Sequence, residues 1–279
     1  MTADRARQVI NRVEVVMPVH DEEHHLGAAL HALGVAAQAL AKHRPGMAMG
    51  ITVVLDHCID RSAEITARFA GAYAGSSAGL STGVRILHRR FRNAGASRAA
   101  GVAAALEDAG PDDCESAGRL ESAGRPEATG SLHLESTWLA NTDADSQVPE
   151  DWLVRQLEFA DAGWDVVLGS VEPDSTAMDP ELLLSWHLRH PLDEGHGNIY
   201  GANLGVRASA YRQAGGFPPL RSSEDRALVE HLRRRGFAVI ATDSTRVVTS
   251  GRTAARAPHG FGAYLHALSV EAAAGLRSS

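Results

Sequence analysis

The feature that most constrains the fold is a repeat: short, almost wholly apolar runs, each followed by a stretch with helical spacing. Val13 to Val19 (VEVVMPV), Ile51 to Leu55 (ITVVL), Val84 to Leu87 and Thr137 to Asn141 are such runs. Hydrophobicity that is continuous rather than alternating means that both faces of a strand are covered, the condition of a parallel sheet between helical layers. Between the runs, Glu22 to Lys42 carries Leu26, Leu30, Leu33 and Leu40 at helical spacing. Asp60 to Tyr73 opens on an N-cap acid, and Ala94 to Leu106 is an Ala-rich helix. Ligands of such sheets gather beyond the carboxyl ends of the strands. Chemistry is therefore expected at Pro18 to Glu23, Asp56 to Asp60, Arg89 to Asn93 and Asn141 to Asp145.

Beyond Asp145 the alternation loosens. Pro149 opens a helix to about Ala160, Asp165 to Gly169 (DVVLG) reads as a fifth strand, and Pro180 to Arg189 as a helix. Arg207 to Ala214 predicts a short helix. Ser222 to Arg235 predicts a strong one, its acidic start and basic end matching the helix dipole. Phe237 to Ala241 and Arg246 to Thr249 read as two late strands, and His259 to Ala274 as a final helix. Segment 107–136, rich in Gly, Ser and Glu and repeating ESAGR, reads as a flexible surface insertion without chemistry.

A chain of 279 residues with 44% hydrophobic and 22% charged residues can bury a large α/β core. Its net charge of −7 argues against duplex nucleic acid as a partner, since that binding relies on a field of Lys and Arg. Cys58 and Cys114 lie far apart, outside any disulfide framework or zinc-ligand spacing. With no signal-like N-terminus and no run of about 18 apolar residues, a cytoplasmic protein without a transmembrane segment is expected, peripheral membrane association being compatible with it.

The fourth run ends in TDAD, so Asp143 and Asp145 stand one residue apart at the sheet edge. Two like charges that close repel by roughly 1 kcal/mol in water and several times more near a protein surface. Either the pair is a solvated turn, or a cation sits beside it; two carboxylates at a strand exit suit a hard divalent ion that also bridges phosphate oxygens. Glu22 and Asp56, acids at two other strand exits, would converge on the same edge. There they could accept hydrogen bonds from a base or a ribose. Asp56 and Asp60 read equally as a turn acid and a helix cap.

The ordered set PVHDEE from Pro18, VVLDHCID with Asp56 and Asp60, RNAGASRAAG from Arg92, TDAD, GANLGVRASAYRQAGGF from Gly201 and SSEDRALVEHLRRRGF from Ser222 resembles family 2 glycosyltransferases over about residues 13 to 250. The resemblance implies the GT-A fold: a Rossmann-like, mostly parallel central sheet flanked by helices, with a smaller C-terminal acceptor-side region. It implies one domain with a nucleotide-binding half (13–148), an acceptor and catalytic half (149–250) and a C-terminal loop and helix (251–279). It further implies a nucleotide-diphosphate-sugar donor, UDP-sugar before GDP-sugar, and Mn2+ or Mg2+ on Asp145 and Asp143. By the same carry-over, Pro18, His20, Glu22 and Asp56 line the nucleoside pocket. Arg92, Asn93 and Arg98 lie near base, ribose or diphosphate, and Gly201 and Asn203 near the sugar. Glu224 and Asp225 form the second acidic motif, with Asp225 as the general base of an inverting transfer to a hydroxyl on a small molecule, lipid-linked saccharide or glycan. A homodimer is left open.

The pattern is broken in places. Leu55-Asp56-His57-Cys58 keeps one acid where the family has two, and His20-Asp21 replaces an aromatic-Asn pair, which leaves base selectivity open. His259 is a candidate third metal ligand. Arg252 and Arg256 could clamp the diphosphate, and Trp186 and Tyr200 are each either sugar platforms or core aromatics. The competing readings are a nucleotidyltransferase or metal-dependent phosphohydrolase on a similar sheet, and a catalytically silent nucleotide-sugar binder.

Overall fold

The computed structural model describes residues 8–73, 83–107, 133–253 and 261–275. Eight strands form one sheet in the order β3-β2-β1-β4-β7-β6-β8-β5. The first half follows the apolar repeat: β1 (Arg12–Val19), α1 (Leu26–His43), β2 (Ala48–Asp56), α2 (Ser62–Tyr73), β3 (Gly83–Arg89), α3 (Ala94–Glu107) and β4 (Thr137–Asn141). β1 pairs in parallel with both β2 and β4, and β2 with β3.

Both faces of β1 are covered, which is why its sequence does not alternate. Val13, Val15, Met17 and Val19 pack into one core cluster with Leu26, Leu30, Leu33 and Leu40 of α1. Val16 enters a second cluster on the opposite face with Val102 of α3. Each large side chain so buried contributes about 1.5–3 kcal/mol. The close seating of α3 depends on Gly101, where a Cβ would lie 2.5 Å from a Val16 methyl carbon.

The second half runs β5 (Ser146–Gln147), α4 (Trp152–Asp161), β6 (Val166–Pro173), α5 (Pro180–Arg189), β7 (Leu204–Arg207), α6 (Ala208–Gln213), α7 (Glu224–Arg234), β8 (Val239–Thr249) and α8 (Phe261–Gly275). Here the parallel pattern gives way: β7 is antiparallel to β4 and β6, and β5 to β8, while β6 and β8 are parallel. β7, fully buried, had no sequence signal of its own, because four residues are too short to show a period. The two late strands expected from the sequence are one strand of 11 residues. A register shift opposite Gly169 and Val171 absorbs the polar Asp243-Ser244-Thr245 that divided it in the sequence. Most of the 107–136 insertion lies outside the described residues. None of the described helices is long and apolar enough to cross a membrane.

Candidate active site

The carboxyl ends of β1, β2 and β4 and the start of α7 open on one cleft of about 940 Å3. Among the described residues, the four non-glycine residues with left-handed φ are Asp21 (51°), His57 (55°), Arg92 (49°) and Ser223 (62°), and all four line this cleft. Such conformations cost free energy and persist where surrounding contacts over-determine them, as at functional sites.

At the end under β1 and β2, backbone amides capture the acids. Asp56 accepts four hydrogen bonds: Phe91 N (2.6 Å) and Arg92 N (3.0 Å) on one oxygen, Asn93 N (3.0 Å) and Ser97 Oγ (2.9 Å) on the other. Burial pushes its pKa up, but these donors outweigh burial and the carboxyl ends below the ordinary range. Two bonds per oxygen fill a carboxylate's usual acceptor capacity, so Asp56, which lines the cleft, shapes the β3–α3 turn. Asn93 is likewise occupied, its Oδ1 capping α3 through Ala96 N (2.9 Å) and its Nδ2 donating to Pro219 O (3.0 Å). Asp60 accepts from Ser62 N and from Glu23 N, bearing out its reading as a cap and turn acid. The His20 ring is held by Asp56 O (2.7 Å) and lies near-parallel to His57 at a centroid distance of 6.4 Å, while Arg92 reaches His57 Nε2. Pro18 lines the same end.

In the middle of the cleft, guanidinium groups hold the acids. Arg98 of α3, 3% exposed, bridges Asp143 at the end of β4 and Glu224 at the start of α7. Arg98, which lines the cleft, thus ties the two acidic motifs together. Gly201 makes the tie fit, since a Cβ there would stand 2.6 Å from Arg98 Nη2. Arg252, after β8, donates to both oxygens of Glu22 (2.7 Å each) and reaches Asp145 at 2.8 Å. Among the described residues, Glu22, Asp143, Asp145, Glu224 and Asp225 gather around Arg98 and Arg252 at the cleft centre, and Arg92, Arg221 and Arg226 also line the cleft. Asp143 registers its burial and these neighbours. Desolvation raises its pKa most, Arg98 pulls it down, and Asp145, Glu224 and Asp225 push it up again, to about 6.

Asp225 lines the cleft in the first turn of α7 and accepts the Arg226 N–H at 2.7 Å. No side chain caps α7, and Ser223 before it is left-handed, so the buried Glu224–Arg98 pair anchors this end of the helix.

Two candidates lie behind the site. Asn203, 1% exposed, donates to Ser170 O (2.8 Å) and Thr245 O (2.7 Å) and accepts from Trp152 Nε1 (2.9 Å); both ends of its amide are used inside the core, behind the cleft. Trp186 is fully buried between α5 and α8, stacked on His190 at 4.8 Å. His190, Tyr200 and Tyr264 line the cleft instead, and burial raises the Tyr200 pKa so that its hydroxyl stays protonated. Tyr264 had no sequence signal beyond its place in an apolar helix. His259 and Arg256 lie outside the described residues.

No protein-family model and no curated protein matches the sequence. Solved structures match in fold. The mannosyltransferase PcManGT from Pyrobaculum calidifontis, in complex with GDP-Man and Mn2+, is 15% identical over 91% of this chain and 62% of its own, with a TM-score of 0.54. S. aureus TarS 1-349 is 14% identical over 87% of this chain and 61% of its own, with a TM-score of 0.53. The chain therefore spans about three fifths of those structures' length. With a mixed eight-stranded sheet covered by helices and a cleft at the carboxyl ends of its parallel strands, the chain has the GT-A glycosyltransferase fold.

Proposed function

We propose that the chain is an inverting glycosyltransferase that moves a sugar from a nucleoside-diphosphate donor, UDP-sugar or GDP-sugar, to an acceptor hydroxyl. The observation that carries the reading is convergence: Pro18, His20, Glu22, Arg92, Asp143, Asp145, Glu224 and Asp225 come from separate segments and line one cleft. In this reading the 13–148 half holds the nucleotide and the 149–250 half the acceptor.

Asp225 is the general base. As the acceptor oxygen forms its bond to the anomeric carbon, the bond from that carbon to the diphosphate oxygen breaks, and the hydroxyl proton passes to the Asp225 carboxylate. Arg98 and Glu224 position Asp225 by fixing the first turn of α7. Attack from the side opposite the leaving group inverts the anomeric configuration.

The donor set suits a divalent cation: a carboxylate pair at a strand exit, with Glu22, Glu224 and Asp225 close by. Asp145 and Asp143 would hold the ion, Mn2+ or Mg2+, and it would supply Lewis-acid stabilisation of the departing diphosphate.

A thermal-shift panel of UDP, GDP, dTDP and CDP, with and without Mn2+, tests the reading. Metal-dependent stabilisation by one of the nucleotides is expected. The absence of any such stabilisation overturns the donor assignment.

A further inference from the structure

The charge balance of the acid pair has a consequence for how a metal can enter. Arg252 does not touch Asp145 by chance of a long side chain. The strand pairing of β5 with β8 joins Ser146 to Thr249, and Ser250 N donates to the backbone oxygen of Asp145 itself at 3.1 Å. The backbone two residues before Arg252 is thus fastened to the TDAD loop. From there the guanidinium forks onto both Glu22 oxygens at 2.7 Å and reaches Asp145 Oδ2 at 2.8 Å. It is three-quarters buried, with 25% of the side chain exposed.

We propose that Arg252 is the resident cation of Asp145, and that it and a divalent metal exclude one another there. The proposal rests on the reading of Asp145 as a metal ligand. Two cations sharing one carboxylate oxygen would stand a few Å apart, where repulsion at an effective dielectric near 20 amounts to several kcal/mol. A metal therefore binds Asp145 after the guanidinium has left it. A diphosphate gives the displaced Arg252 a new anionic partner, so nucleotide and metal bind with positive coupling, and by linkage each strengthens the other equally. Arg252 is a positioning residue in this scheme, holding Glu22 and Asp145 together until the donor arrives.

The test is a Mn2+ titration of the full chain followed by electron paramagnetic resonance, with and without UDP or GDP. Without nucleotide, Arg252→Gln is expected to bind Mn2+ about ten-fold tighter than the wild type, or tighter still. The increase in Mn2+ affinity produced by nucleotide should be smaller in the variant. Arg252→Lys, which keeps the charge but has no fork to span both acids, should fall between the two. Circular dichroism melts confirm that each variant is folded. Mn2+ affinity in folded Arg252→Gln equal to or below that of the wild type overturns the proposal, as does a variant that binds no Mn2+. Failure of the donor reading is seen separately, as the loss of any nucleotide-dependent shift in the wild type.

Discussion

Two regions of the cleft hold their acids in opposite ways. Under β1 and β2, backbone amides capture Asp56 and Asp60, one taking Phe91, Arg92 and Asn93 N–H groups and the other those of Glu23 and Ser62. In the middle of the cleft, side-chain cations hold Glu22, Asp143, Asp145 and Glu224. Amides belong to the fold and stay with it, so the first kind of acid is spent on shaping loops. A guanidinium on a long side chain can exchange partners, so the second kind can exchange its partner for a ligand. Loops that must keep a shape are built on the first, and chemistry is expected at the second.

Four measurements would sharpen or break this contrast, from the largest expected effect to the smallest. Asp225→Asn should lower the rate of sugar transfer about 10²–10⁴-fold with nucleotide binding retained, measured as product formation beside a nucleotide titration. Wild-type transfer by the variant would remove Asp225 from the base role. Replacing Arg98 by Met leaves Asp143 and Glu224 crowded without their cation, and unfolding in urea should show a loss of about 3–5 kcal/mol. A loss below about 1 kcal/mol would mean that the two motifs do not depend on this tie.

Asp56→Asn exchanges one acceptor oxygen for a donor facing the amides of the β3–α3 turn. It should cost about 1–3 kcal/mol by the same measurement and leave Mn2+ affinity unchanged. A change in Mn2+ affinity instead would erase the distinction between the two kinds of acid.

The smallest effect is in pH. Asp143 has a folded-state pKa of about 6 against an ordinary value of 3.8, so the folded chain holds the extra proton between them and loses stability as pH rises through that window. Asp143→Asn removes the charge, so its melting temperature relative to the wild type should rise between pH 5 and pH 7 in metal-free buffer. A constant difference across that range would refute the shift.

The first half of the fold was legible in the sequence, and the second only in part. β1, β2 and β4 are mostly apolar and buried, so local composition reports their tertiary role; β3, a half-buried edge strand, is marked only by Val84, Ile86 and Leu87. β7 and β5 are too short to carry a period, and the polar middle of β8 hides one strand as two. The site divides likewise. Among the described residues, nearly all those expected at the site line the cleft, because strand exits follow from strand order. Asn203 does not, because an amide in a loop-like Gly-rich segment reads the same whether it faces ligand or core.

What the sequence determined by itself is the order of strands and helices and the identity of the acids at their ends, because burial on both faces writes itself into consecutive residues. Only the tertiary structure decided which cation each acid meets. The repulsion between Asp143 and Asp145 called for positive charge, and among the described residues the fold supplies the guanidiniums of Arg98 and of Arg252, more than a hundred residues downstream of the pair. Coulomb interactions depend on distance in space, and no spacing along the chain encodes them.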